Sequence, residues 1–178
     1  MGMGVGQELI VVDNTFKDTV IIDDFLPENE FKGLQELIVM NPDFPFFFQK
    51  EVNNWGDTCE DTYWNWYQTH TIMNDDRIYS DNYDLFLDLF IVRFRQLNIY
   101  RALSRIKINM YPYSHVIREH ASHKDMPWKH KGAVFSLNTC DGFTRLDDGT
   151  KVPSVENRMM FFDPSREHNS STTTNASA

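Results

Sequence analysis

The second half of the chain is a run of short, closely spaced β-strand patterns, and this run most constrains the fold. Residues 105–111 alternate between apolar and polar side chains, which is the period of a strand with two different faces. Residues 132–137 and 157–162 are further β-prone segments, and Asp148-Gly149 between them is typical of a hairpin turn. Strands this close in sequence pair as antiparallel neighbours, so we expect a mainly β protein.

The first half contributes helices that would flank these strands. Residues 19–26 read as a strand, and Pro27 then opens a helix, because proline at a first helical turn lacks only an N–H that has no partner there. Residues 63–71 read as a strand. Residues 84–97 predict a second helix, whose apolar stripe comprises Leu85, Leu89, Val92 and Leu97, widened by Phe86, Phe90 and Phe94. Helices early and strands late favour a helix-buttressed β-sandwich or a double-sheet jelly roll.

The length, composition and charge of the chain limit the classes of protein to which it can belong. The 178 residues predict one domain over 1–178, and 41% hydrophobic residues exclude disorder for its body. No apolar run reaches the roughly 18 residues of a membrane span. The net charge of -9 disfavours nucleic acids and anionic membranes as partners. Cys59 and Cys140 are expected to be free thiols, and without a charged-then-apolar leader they fit a reducing cytoplasm.

Two histidines and an aspartate stand out within the β-rich half. His123 and Asp125 are two residues apart, which projects them to the same side of a strand end, and His168 follows 43 residues after Asp125. Two imidazoles and one carboxylate form the facial triad that holds a non-haem Fe(II) and leaves coordination positions open. Neither of the rival histidines, His120 and His130, has an acidic residue two positions later.

A lone His-x-Asp is common by chance, so the surrounding segments must add weight. In order along the chain they are Val20-Ile21-Ile22-Asp23-Asp24-Phe25-Leu26-Pro27, Ile108-Asn109-Met110-Tyr111-Pro112, His123-Lys124-Asp125, Leu137-Asn138, Gly142-Phe143-Thr144, Asn157-Arg158 and Phe162-Asp163-Pro164-Ser165-Arg166-Glu167-His168. This ordered set resembles the Fe(II)- and 2-oxoglutarate-dependent dioxygenases, in particular the prolyl-hydroxylase-like branch common in phage and marine microbial genomes. The resemblance covers most of the chain from residue 20 onward.

The resemblance implies a double-stranded β-helix, the jelly roll of cupin-like proteins, in which His123, Asp125 and His168 hold Fe(II). It further implies that Asn109 and Tyr111 contact the cosubstrate 2-oxoglutarate, with Lys107 on the same strand face as a weaker candidate. The implied reaction uses O2, converts 2-oxoglutarate to succinate and CO2, and hydroxylates a C–H bond of a small molecule or peptide, with a prolyl residue as the suggested target.

One part of the family pattern is missing. Family members place an Arg or Lys about ten residues after the distal histidine, to pair with the far carboxylate of 2-oxoglutarate, and here the sequence ends at Ala178 without one. Arg158 and Arg166 lie near His168 in sequence but not at that position. We therefore expect the chain to lack its final C-terminal strand, and a truncated chain of this kind to be at risk of inactivity.

Two other readings of the same residues remain open. A catalytically silent β-sandwich, serving as a binding or structural module, would keep the histidines for packing and would survive loss of His168. A cupin-like metalloprotein would use Zn or Mn without 2-oxoglutarate, because clustered histidines also suit zinc. The ligand chemistry does not separate these metals, and iron is favoured by the resemblance alone. The oligomeric state is not indicated by the sequence.

Overall fold

The computed structural model describes residues 19–52 and 64–175, and this part of the chain is mainly β with a few helices. In chain order its strands are β1 (Val20–Ile22), β2 (Phe47–Gln49), β3 (Tyr67–Asn74), β4 (Arg77–Ile78), β5 (Arg105–Met110), β6 (Gly132–Ser136), β7 (Phe143–Leu146), β8 (Lys151–Pro153), β9 (Arg158–Phe162) and β10 (His168–Ser170). Its helices are α1 (Glu28–Ile38), α2 (Tyr83–Phe86) and α3 (Val92–Gln96), and a π-helical turn (Leu87–Ile91) joins α2 to α3. The prediction of a mainly β protein with flanking helices is confirmed.

Strand β9 forms the centre of the first sheet, whose order is β1-β9-β6 with antiparallel neighbours. Its side chains are buried on both faces. Met159 and Phe161 join the core that contains α1, whereas Met160 and Phe162 form a second apolar cluster with Leu146 of β7. The unbroken apolar run of β9 therefore forms a central strand that packs against helices on one face and against the second sheet on the other.

The second sheet has the order β10-β7-β8, and the predicted hairpin joins β7 to β8. Gly149 has φ +86° in its turn, a conformation that L side chains rarely adopt. The segment before Asp125 also runs beside the chain around β10, through isolated bridges that pair Glu119 with Ser171 and His123 with His168. Because of this pairing, the His-x-Asp segment lies next to the distal histidine.

The third sheet is built on β3, which pairs with β5 over most of its length along one edge and with β2 and β4 along the other edge. The predicted alternation in β5 is confirmed only in part. Ile108 is buried as expected, but Met110 of the same predicted apolar face is 44% exposed. Strand β4 was not predicted; it follows a turn in which Asp75 and Asp76 have positive φ.

Helix α1 begins directly after Pro27, as predicted, and buries Phe31, Leu34 and Ile38. The stripe predicted for residues 84–97 is wrong in two places, since Leu85 is 39% and Val92 is 47% exposed. The buried side chains of that segment are Phe86, Leu89, Phe90 and Ile91. A π turn contains more residues than an α turn, so it changes the face on which later residues lie.

Three smaller expectations have mixed outcomes. The first strand is shorter than predicted, because the chain turns at Asp24, which has φ 50°. Cys140 is a free thiol, as expected, whereas Cys59 lies outside the described residues. Across the two described ranges, no helix is both long enough and apolar enough to cross a membrane.

The Asn157 side chain connects the loop before α1 to the start of β9 through two hydrogen bonds. Its side-chain oxygen accepts a hydrogen bond from the Leu26 N–H (2.9 Å), and its amide nitrogen donates to the Leu26 carbonyl (2.8 Å). Both residues are buried, and Asn157 has φ 58°. We expect Asn157→Ala to lower the free energy of unfolding by about 3 kcal/mol, because two buried backbone groups lose their partners and the left-handed conformation disfavours alanine. Urea denaturation measures this change.

Asn157→Gly is the matched control, because it removes the same hydrogen bonds but tolerates a positive φ. It should be destabilising by about 1 kcal/mol less than Asn157→Ala. Equal stability of the wild type and Asn157→Ala would contradict this account of Asn157.

Glu119 ties the segment before Asp125 to the second sheet. Arg145 donates to both of its carboxylate oxygens (2.5 and 2.6 Å), and Lys151 lies 3.4 Å from one of them. The hydrogen bond from Arg145 is the main reason that the pKa of Glu119 is lowered from 4.5 to about 2. The carboxylate therefore stabilises the fold fully above pH 4.5, and this contribution disappears as the pH falls from 4.5 towards 2.

We expect Glu119→Gln to lower the free energy of unfolding at pH 7 by no more than about 1 kcal/mol, since the side chains are partly exposed. The difference from the wild type should shrink below pH 4.5 and vanish near pH 2, as measured by urea denaturation across this range. Glu28→Gln is the comparison for a fully exposed ion pair within one helix, because Lys32 also lowers the pKa of Glu28; its difference from the wild type should be smaller than that of Glu119→Gln. A difference that does not depend on pH would exclude the Arg145–Glu119 pair as its cause.

Candidate metal centre

The three residues predicted as metal ligands lie together. His123, Asp125 and His168 each offer one ligand atom, and these three atoms all lie within 4.8 Å of one another. His168 is buried, and the other two residues are half-buried. The rivals His120 and His130 are not members of this group, as the sequence indicated.

Backbone pairing sets the positions of the two histidines. His123 donates its N–H to the His168 carbonyl (2.9 Å), and His168 donates back to the His123 carbonyl (3.0 Å). Directly opposed residues of an antiparallel pair project to the same face, and the ring centroids are accordingly 4.6 Å apart. Asp125 follows in a bend, where its N–H donates to the carbonyl of Pro164 (2.9 Å).

The ring nitrogens of His168 have distinct surroundings. Its Nδ1 lies 3.0 Å from the Arg166 carbonyl, which can only accept, so Nδ1 carries the proton in this hydrogen bond. The lone pair is then on Nε2, the arrangement usual in metal-ligating histidines. In His123 the Nδ1 faces the Ala121 carbonyl at 3.4 Å, and Nε2 faces Asp125 Oδ1 at 3.9 Å.

Burial and neighbouring groups shift the pKa values of His123 and Asp125. Burial lowers the pKa of His123, and the nearby His168 acts in the same direction against smaller opposing effects of Ala121 and Asp125. For Asp125, burial alone would raise the pKa, but electrostatic interactions with four neighbouring basic groups outweigh burial and lower the pKa. In decreasing order of effect, these groups are Arg105, His168, Lys107 and His123. The neutral imidazole of His123 and the ionised carboxylate are the forms that ligate metals.

Strand β5 presents a polar face beside this cluster. Arg105, Lys107 and Asn109 alternate along it, and Arg105 Nη2 lies 3.2 Å from Asp125 Oδ1. Lys107 is exposed as a whole residue, yet burial of its ammonium group lowers its pKa, and Arg105 acts in the same direction while Asp125 opposes it. Its nitrogen lies over the Tyr67 ring, 5.8 Å from the centroid.

Asn109 and Tyr111, the two predicted cosubstrate contacts, belong to one hydrogen-bonded group. Thr69 Oγ1 lies 3.0 Å from Asn109 Oδ1, and Asn109 Nδ2 donates to the Tyr111 hydroxyl at 3.4 Å. Burial raises the pKa of Tyr111; hydrogen bonds with Ser170 and Asn109 oppose this, and the Asp125 carboxylate adds to it. The hydrogen bond with Ser170 connects the tyrosine to β10, the strand that carries His168.

Two residues near the cluster, Arg105 and His120, have contacts that the sequence did not predict. Arg105 was not singled out, because its role depends on the tertiary contact with Asp125. His120 is buried between the rings of Trp64 (5.4 Å) and Tyr111 (5.2 Å), and its Nδ1 lies 3.0 Å from Ser170 Oγ. The alternation that placed Asn109 on the polar face of β5 would also have placed Arg105 there.

Arg158 and Arg166, the two arginines near His168 in sequence, form ion pairs with aspartates outside the cluster. Arg158 makes a two-pronged ion pair with Asp23 (2.6 and 2.9 Å). Arg166 donates to Asp147 at 2.7 Å. Neither contact directs the guanidinium to the His123, Asp125 and His168 side chains, so these two arginines are engaged elsewhere.

Comparison with known proteins supports the architecture. No family model and no curated protein matches the chain. A solved structure, the crystal structure of a Pseudomonas putida prolyl-4-hydroxylase, is similar with a TM-score of 0.55 and 15% sequence identity. The match covers 87% of this chain and 85% of that one. At this identity the likeness shows a shared fold, and the activity of the neighbour is not carried over by it.

The lowered pKa of His123 leads to a measurement on the metal-free protein. In an NMR titration, the His123 ring protons should move with a midpoint below 6.5, and His123→Gln identifies the resonance. Because Asp125 favours the charged imidazole, Asp125→Asn should lower that midpoint further. A midpoint at or above 6.5, or one unmoved by Asp125→Asn, would contradict the described surroundings of the ring.

Proposed function

We propose that the protein is a non-haem Fe(II)- and 2-oxoglutarate-dependent dioxygenase that hydroxylates a C–H bond. The observation that carries this proposal is the group of His123, Asp125 and His168 within 4.8 Å, on a fold shared with a prolyl-4-hydroxylase. In this proposal the first and second sheets form the two halves of a double-stranded β-helix, with the metal at its open end.

The donor set of the cluster fits Fe(II). Two imidazoles and one carboxylate supply three ligands on one side and leave positions for a bidentate keto acid and for O2. When bound, the iron would supply the chemistry by which O2 oxidises 2-oxoglutarate to succinate and CO2 and the substrate C–H bond is hydroxylated. The protein's part is to hold the three ligands, keep Nε2 of His168 available and place the organic molecules.

Binding of the cosubstrate would use the polar face of β5. The Asn109 amide and the Tyr111 hydroxyl can donate hydrogen bonds to a carboxylate, and the two side chains are joined by a hydrogen bond of 3.4 Å. The dianion 2-oxoglutarate must approach a chain of net charge -9, so local positive charge matters. Arg105 and Lys107 supply that charge next to the proposed ligands.

The substrate class is a small molecule or a peptide. The structural neighbour is named for hydroxylation of proline, and by analogy with it a proline-containing peptide is the first substrate to test. Fold likeness alone does not fix the substrate, because related folds carry many chemistries.

The test is an anaerobic Fe(II) titration followed by 2-oxoglutarate, read by the visible charge-transfer band of a metal-chelated keto acid. We expect the band in the wild type, its loss in His168→Ala, and its retention in His130→Ala, because His130 is outside the cluster. Circular dichroism controls for folding of both variants.

The other outcomes favour the competing readings. Binding of zinc or manganese without any response to 2-oxoglutarate would support a cupin-like metalloprotein. Absence of stoichiometric metal, together with an intact fold in His168→Ala, would support a silent β-sandwich and contradict the proposal.

A further inference from the structure

We propose that Arg105 is a positioning residue, which orients the Asp125 carboxylate towards the two imidazoles so that all three side chains can bind one metal ion. The inference rests on the proposed function, because it takes Asp125 to be a metal ligand. It assigns to Arg105 no contact with the metal or with substrate.

The backbone of Asp125 is held, but its side chain needs a separate restraint. The N–H of Asp125 donates to the Pro164 carbonyl, which places the Cα atom in the bend after His123. Rotation about the two side-chain bonds still changes where the carboxylate points. Among the described residues, Arg105 supplies the ion pair to this carboxylate, with Nη2 3.2 Å from Oδ1.

Arg105 itself stands on a fixed element. It is the first residue of β5, and it pairs in register with Asn74 of β3, at the far end of the longest strand pairing in the third sheet. A side chain anchored on a sheet orients its partner better than one on a loop. The same oxygen that contacts Arg105 lies 3.9 Å from His123 Nε2, so the ion pair holds the carboxylate at the side of the imidazole.

A guanidinium beside a metal ligand has two opposite effects. It fixes the carboxylate, which favours metal binding, and it repels a divalent cation, which disfavours binding. Arg105 and Asp125 side chains are 31% and 26% exposed, so solvent and salt screen the repulsion. Orientation does not depend on screening. We therefore expect the positioning effect to dominate at moderate salt. Replacing Arg105 should then weaken metal binding, whereas dominant repulsion would make metal binding tighter on replacement.

The experiment is a Mn(II) titration of the purified full chain in moderate salt, in which electron paramagnetic resonance measures the free aqueous ion. We expect Arg105→Met to weaken Mn(II) binding by about 10- to 100-fold, as loss of a partner to a metal ligand usually does. Arg105→Lys should fall between the wild type and Arg105→Met, because it restores one donor and the charge. Arg93→Met is the matched control, since Arg93 makes a comparable ion pair with Glu30 between helices.

Each result decides between definite conclusions. Unchanged or tighter binding by folded Arg105→Met overturns the inference while leaving the proposed function intact, and so does an equal loss in Arg93→Met. If Arg105→Met does not fold, Arg105→Lys decides: weaker binding supports positioning, and unchanged or tighter binding overturns it. A wild type that binds no Mn(II) or Fe(II) overturns the proposed function, and the inference with it.

Discussion

The reciprocal backbone pairing of His123 with His168 is the interaction on which the rest of the candidate site depends. Two hydrogen bonds of 2.9 and 3.0 Å place these residues directly opposite each other, although they are far apart in sequence. Their side chains therefore share one face, and the bend that follows His123 is fixed by the hydrogen bond from the Asp125 N–H to the Pro164 carbonyl. Without this pairing, a His-x-Asp and a distant histidine would be unrelated surface residues.

Strand β9, which is buried on both faces, stabilises the pairing of His123 with His168 by packing against it. Its Met159 and Phe161 pack into the helix-side core, so the strand is held by α1 and the segment around the π turn. Its last residue, Phe162, meets the His168 ring edge to face at 4.9 Å and 76°. Core packing thus reaches the candidate ligand directly, which limits how far the imidazole can tilt.

The sequence predicted those parts of the molecule whose causes are local. Helix α1 follows from Pro27 and an apolar stripe, and the β7–β8 hairpin follows from Asp148-Gly149. The three clustered residues came from spacing combined with a family resemblance, since spacing alone occurs often by chance. Their proximity is now a geometric fact, and their role as metal ligands stays a proposal.

The parts that the sequence did not predict depend on packing or on a change of helical period. The π turn changes the face on which later residues lie, so Val92 is exposed although the helical period predicted it to be buried with Leu89 and Phe90. Strand β4 has only two residues, too few to show an alternation. The contact between Arg105 and Asp125 joins β5 to a bend, and no short-range pattern in the sequence contains it.

The polar face of β5 is locally basic, although the chain as a whole is acidic. The chain carries a net charge of -9, yet Arg105 and Lys107 stand together beside Asp125. The pKa of Lys107 is lowered by burial and by Arg105, so its charged form is less stable here than in water. A carboxylate bound nearby would offset both penalties, because it supplies opposite charge where solvent is partly excluded. This face would therefore suit an anion better than a neutral molecule, as the proposed 2-oxoglutarate site requires.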